Sequence, residues 1–404
     1  MKTPQKRIAV IAIVVLLLGA GAWWWNRTHV EPSHSTNEPV MASPSELPMA
    51  MPRPVRAPLS GMSAGDPSDA CGIAIHEAFN VRARGLALRE DANSQLAYAM
   101  TVPLDPPVDL DRMGQAEVQN FLEAREAKTQ RAFLHAAKLA PTRPDVLFLA
   151  SAQCGNGKSC RSVRQALLDA DGDNQAVWFL EMGRASVHDD PDAYERAFER
   201  AAKATRNDSY ADSALQVLVE AYGDMPMPPA CSSEQAKAAM RRETGMEHDF
   251  SMLDHALVLA NASRAGSLPS YNHIRLRCMP HMNVTMGAET RAGCRNILTL
   301  MTDGDTLIER AIGLGTMVSL TAEEPDASAW RERYREFHWM YAQLGDSQVQ
   351  RLLQPEDYWL DEVRATQAAL EVLGRWPPPA DWLPDDEQSR SLIQTGRPPP
   401  PKAR

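Results

Sequence analysis

The sequence predicts an all-α protein of stacked antiparallel helix pairs, repeat- or solenoid-like, behind one N-terminal transmembrane helix and a proline-rich linker. Three observations carry this. From Gln115 onward apolar residues recur every three or four positions, the spacing of one helix face. Period-2 alternation of β-branched residues, the mark of a half-buried strand, is scarce. And Lys2, Lys6 and Arg7 precede an uncharged apolar run from Ile8 to Trp25. The expected divisions are a cytoplasmic tip 1–7, an anchor 8–25, a linker 26–68, a helical-repeat domain 69–230, a second helical region 231–380 and an unstructured tail 381–404.

The run 8–25 spans roughly 27 Å as a helix, just enough for a bilayer core. Cations on the short leading side hold that end in the cytoplasm, and Trp23, Trp24 and Trp25 would lie at the far interface, where indoles are enriched. This places the chain as a single-pass inner-membrane protein with its C-terminal part in the periplasm. The alternative is a signal peptide cleaved near Ala22, since Ala20-Gly21-Ala22 has the small-residue pattern of a cleavage site. Either way the remainder is exported. The linker carries Pro32, Pro39, Pro44, Pro48, Pro52, Pro54 and Pro58, which deny both helix and ladder hydrogen bonds and read as a semi-extended tether.

A formal net charge of −10 argues against a general affinity for nucleic acid, whose phosphates demand a basic footprint. The six cysteines all follow the apolar run, an even set in a disulfide-permissive place. Spacing suggests Cys154 with Cys160 and Cys278 with Cys294, leaving Cys71 for Cys231; some of the six as buried thiols is the alternative.

Helix boundaries are legible in places. Asp190-Pro191 opens one helix, Asp208 caps another, Asp303 or Asp305 opens the helix carrying Leu307, Ile308 and Ile312, and Asp173 or Asn174 caps the one carrying Trp178. Phe133, Ala136 and Pro141 are spaced like the second helix and closing turn of a tetratricopeptide unit. Leu167 and Ala170 recur 34 residues later, Phe198 and Ala201 a further 31, and Leu147 and Trp178 hold matching first-helix positions. Residues 115–222 thus resemble two to three degenerate tetratricopeptide-like units, without the glycine and tyrosine of that pattern. The resemblance implies helix pairs that bury one apolar face by stacking, with a partner-binding groove on the first-helix faces of 145–222. Farther on, Trp330, Tyr334, Phe337 and Tyr341 form one helical stripe, read as core. Trp339 lies off it and is the candidate for an exposed protein contact.

Three segments imitate sites of chemistry. Ala152 to Ser159 approximates a phosphate-binding loop, with Val146–Ala150 as its strand and Val163–Leu168 as its helix. The first glycine is absent, and the bracketing Cys154 and Cys160 favour a disulfide-closed turn. Cys278, His281 and Met286 have the ligand order of a blue-copper loop and resemble plastocyanin-type proteins over nine residues. Copper there competes with a Cys278–Cys294 disulfide. Asp169-Ala-Asp171-Gly-Asp173-Asn174 resembles the start of a calcium loop, but Leu180 stands where a bidentate glutamate belongs; the plain reading is an acidic turn. No hydrolase motif is present, and no cofactor is expected.

The functional expectation is therefore a non-catalytic, membrane-anchored scaffold, assembly factor or inhibitor. Its partners would be a periplasmic or envelope protein and, through residues 8–25, the inner membrane. The alternatives are a helical enzyme acting on cell-wall glycan, for which Glu90, Glu234 and Glu289 lack the expected following serine, and a copper-handling protein using Cys278, His281 and Met286.

Overall fold

The computed structural model describes residues 67–103, 114–155, 157–244, 249–267, 271–279, 286–304, 306–353 and 361–399. Among these every regular element is helical, and the one extended pairing is an isolated bridge between Asn174 and Arg206. The expected anchor 8–25, and all of the linker 26–68 but its last two residues, lie outside the described residues. Among the described residues no helix is long and apolar enough to cross a membrane. The packing discussed below lies within one compact unit drawn from Met51–Ser186 and Asp190–Arg404.

Among the described residues seventeen α-helices follow in order. The first ten are α1 (Pro67–Ala87), α2 (Ala92–Met100), α3 (Gln115–Leu139), α4 (Pro144–Ala152), α5 (Lys158–Asp171), α6 (Gln175–Val187), α7 (Pro191–Lys203), α8 (Ala211–Tyr222), α9 (Glu234–Thr244) and α10 (Met252–Ser267). A 3-10 turn at Pro229–Cys231 precedes α9. The rest are α11 (Asn272–Cys278), α12 (Ala288–Thr302), α13 (Leu307–Leu320), α14 (Ala327–Gln343), α15 (Ser347–Leu352), α16 (Glu362–Val372) and α17 (Glu387–Thr395).

Three apolar cores organise them. The first gathers Phe79 of α1, Leu96 of α2, Phe133 of α3, Leu147 of α4, Leu167 of α5, Leu218 and Tyr222 of α8 and Met252 of α10. Helices distant in sequence therefore share one interior. The second core joins Phe179 and Met182 of α6 to Phe198 and Ala201 of α7, with Ile274 of α11 and Ile297, Leu298 and Met301 of α12. The third packs α13, α14, α16 and α17 through Leu314, Tyr334, Phe337, Leu370 and Leu392.

Small residues set the closest approaches. A Cβ at Gly293 would stand 3.2 Å from Phe198, and one at Gly313 would stand 2.9 Å from Met301 Cβ. Those two glycines let α12 lie against α7 and α13.

Several helix starts fall where expected, and several do not. Asp190 caps α7 through Ala193 N, and Asn174 accepts from Ala176 N at the start of α6. Asp208 does not cap α8: its carboxylate accepts from Tyr210 N two residues on, and the helix begins at Ala211. Thr306, not Asp303, caps α13 by accepting from Glu309 N. Asp305 lies outside the described residues.

The unstructured tail expected from residue 381 is also corrected. Asp386 caps α17, which buries Ser389, Leu392 and Ile393, and Gly396 closes it at a φ of 73°. Two adjacent apolar residues among prolines are too few to register as a period, yet they suffice to dock one short amphipathic helix.

Candidate functional site

The three suggested cysteine pairs are the ones that meet. Cys71 and Cys231 lie at disulfide distance with Cα atoms 4.7 Å apart; Cys154–Cys160 and Cys278–Cys294 do so at 5.4 Å each. The first ties the start of α1 to the 3-10 turn. The second closes the α4–α5 turn, and the third staples α11 to α12.

This geometry removes the thiolate from the copper-like loop. Cys278 is fully buried against Cys294, and Met286 packs against the second core. His281 lies outside the described residues. The phosphate-loop reading fails on context, because Val146–Ala150 belongs to helix α4 and no strand enters the loop. That helix is buried from Asp145 to Ser151 on every side, so it offers no open groove face either. A helix apolar all round belongs inside a core.

Trp339, expected to be exposed, is held instead. Its indole Nε1 donates to Arg375 O at 2.9 Å, and its ring meets Trp382 edge-on at 5.2 Å. The stripe Trp330, Tyr334, Phe337 and Tyr341 faces the third core, as read. Glu90, Glu234 and Glu289 are all exposed.

The acidic turn after α5 holds a dense polar network. Asp171 is 1% exposed. Its carboxylate accepts from Tyr210 Oη at 2.5 Å and Asn174 Nδ2 at 2.8 Å, and it is ion-paired with Arg206. Asn174 also donates to Asp208 O at 2.9 Å and accepts from Asp208 N at 3.0 Å. Backbone closes the knot: Gln175 N donates to Arg206 O, and Thr205 N to Asp173 O. Burial pushes the Asp208 carboxyl above its ordinary range. The place a calcium ion would take is filled by the chain's own guanidinium. The acids are legible in the sequence, but Arg206 is not, because its pairing with Asp171 spans 35 residues and leaves no local trace.

The next residue begins a second polar group. Asn207 Nδ2 donates to Glu309 at 3.3 Å, Tyr271 Oη donates to the same carboxylate oxygen at 2.7 Å, and Thr306 Oγ1 reaches the other at 3.2 Å. Glu309 is 1% exposed. Segment 206–208 thus links the first core to the second through side-chain hydrogen bonds, although Asn207 Oδ1 is buried without a partner.

Two histidines sit in apolar surroundings. His255 lies edge-on to Phe79 at 4.8 Å and to Phe250 at 6.4 Å. Burial, with His76 nearby, pushes its pKa down to about 4. His338 stands edge-on to Tyr334 and Phe337, and burial likewise pushes it down to about 4. Rings so disposed are neutral packing groups near pH 7. Among the described residues no three His, Cys, Asp or Glu side chains are grouped to hold a metal ion.

No protein-family model, no curated protein and no solved structure matches this chain.

Proposed function

We propose that the chain is a membrane-anchored, periplasmic helical protein that works without catalysis, as a scaffold, assembly factor or inhibitor contacting another envelope protein. The observation that carries this reading is the cysteine pairing: all six sulfurs lie at disulfide distance from a partner. A cytosolic protein rarely accumulates such a set, whereas an exported one is stabilised by it. The Asp171–Arg206 pair and the bonds of Glu309 to Asn207 and Tyr271 tie the helices of one body together. Residues 8–25 would anchor that body, and the proline-rich stretch would carry it some tens of ångströms from the bilayer, at about 3.1 Å per residue. In the tetratricopeptide-like reading of 115–222, α4 and α5 pair with Leu147 and Leu167 in the first core, while Phe179 of α6 and Phe198 of α7 share the second.

Proximity labelling in intact cells tests the proposal. The labelling enzyme is fused after residue 404 of the full chain, with a twin whose 8–25 segment is replaced by a cleavable signal. Enrichment of a defined envelope protein by the anchored chain, and its reproduction by co-purification, is the expected result. Cleavage of purified peptidoglycan by the soluble part, or one equivalent of bound copper, would replace the reading with one of its rivals.

A further inference from the structure

The three cysteine pairs are not equivalent, and we propose that Cys154–Cys160 is a thiol–disulfide exchange site, opened by an external dithiol while the other two pairs stay closed. The inference does not depend on the identity of any protein partner.

Access is the first ground. Cys71, Cys231, Cys278 and Cys294 are each at most 4% exposed, inside the first and second cores. Cys154 is half-buried, and its neighbours Gly155, Gly157, Lys158 and Ser159 are exposed. Chain neighbours aside, the described atom nearest to where a Gly155 Cβ would be is Gln130 Nε2, at 3.8 Å, and none lies within 4 Å of that of Gly157. Cys160 itself is only 3% exposed, so an attacking sulfur reaches this bond through Cys154.

The leaving group is the second ground. Cys160 is the third residue of α5, and side chains on a helix lean back toward its N-terminus. Gly157 caps that helix without a side chain, so no carboxylate or hydroxyl from the cap occupies the first amide groups. The positive end of the helix stabilises a thiolate there. Gln130 Nε2 adds a donor 3.7 Å from Cys160 Sγ, and Lys158 lies in the same turn. Exchange is faster when the leaving sulfur is the better anion.

The third ground is what the bond closes. Its sequence separation is 6, against 160 and 16 for the others. Opening a short loop releases the least chain entropy, so the fold persists while the α4–α5 turn is freed.

The exchange balances with a dithiol. One thiolate attacks Cys154 Sγ; the bond to Cys160 breaks and its electron pair leaves on Cys160. The second thiol of the dithiol, deprotonated, attacks its own sulfur in the mixed disulfide and releases Cys154. The dithiol is oxidised to a disulfide by two electrons, and its two protons end on Cys154 and Cys160.

Dithiothreitol titration of the native, full-length protein tests this, with rapid N-ethylmaleimide trapping and peptide mass mapping. Cys154 and Cys160 are expected to label at roughly one tenth of the dithiothreitol concentration that exposes any other cysteine. Labelling of all six together, or of a buried pair first, overturns the proposal. Gly157→Asp adds a carboxylate at the cap of that helix, where it competes for the same positive end, and should slow the reduction about two- to fivefold. An unchanged rate in that variant removes the helix end from the account. Circular dichroism on both proteins confirms that the fold is retained, so that slowing is read from a native chain.

Discussion

Arg206, four residues before Tyr210, reaches back across the α6–α7 hairpin to pair with Asp171 at the end of α5, a carboxylate that water does not reach. The pair is cheap to keep and costly to halve. Removing Arg206, whose side chain is 39% exposed, strands a buried carboxylate that keeps its bonds to Tyr210 and Asn174, at about 3 kcal/mol, the low end for a buried pair. Arg206→Met should therefore lower the unfolding free energy by that order, read from the shift of the urea midpoint. Arg206→Lys should recover only part of the loss, because one ammonium cannot reproduce the forked contacts to Asp171 and Asp208. Calcium in the millimolar range should leave the melting temperature of the unmodified protein unchanged. A calcium-dependent rise would return the 169–174 turn to the metal-binding reading.

Acid should weaken the fold well above the pH at which carboxylates titrate. The folded-state pKa of His255 and His338 is pushed down to about 4, against 6.5 in the unfolded chain. Above pH 6.5 neither state is protonated, and the two rings contribute no pH dependence. As pH falls below 6.5 the unfolded chain takes up protons that the folded chain refuses. Stability then declines, by about 1.4 kcal/mol per pH unit for each ring, until pH nears 4. His255→Phe, between Phe79 and Phe250, and His338→Phe should each remove one share of the difference between pH 7.5 and pH 5. Urea melts at the two pH values give the answer, and a double variant as acid-sensitive as the parent would exclude these rings as the cause.

Helix content and cysteine pairing were legible because each leaves a local trace: a 3.6-residue period, a short cysteine spacing, an even count. The helix start at Pro191 was equally plain, since Asp190-Pro191 is a cap and a first-turn residue in sequence. What escaped depends on contacts far apart in the chain. Trp339 and its partners Arg375 and Trp382 are separated by a stretch whose packing no periodicity announces. The burial of α4 on all sides follows from α3, α5 and α10 converging on it, which only the tertiary arrangement supplies. Asp208 was misread as a cap because its carboxylate serves the backbone of Tyr210 and the Arg206 guanidinium instead.

Trp339→Ala tests the corrected placement. If the indole were a partner contact, its loss would spare stability. Bonded to Arg375 O and packed on Trp382, it should cost about 3 kcal/mol on truncation, toward the low end for buried tryptophan because it is half-exposed. Chemical denaturation reads this directly; a change below about 0.5 kcal/mol, the range of ordinary surface substitutions, would restore Trp339 as a surface residue.

Gly313→Ala should destabilise although alanine is the better helix former. The added Cβ would lie 2.9 Å from Met301 Cβ and 3.1 Å from the backbone of Met301 and Thr302. Backbone cannot swing aside as a flexible side chain does, so α12 and α13 must separate, at about 1–3 kcal/mol for overpacking. Helix propensity returns at most about 1 kcal/mol. Gly183 in α6 is the control, because nothing lies within 4 Å of its Cβ position; Gly183→Ala should be neutral or stabilising. The two thermal melts, run side by side, separate a close helix crossing from a general intolerance of substitution, and equal shifts in both would mean that the α12–α13 approach is looser than described.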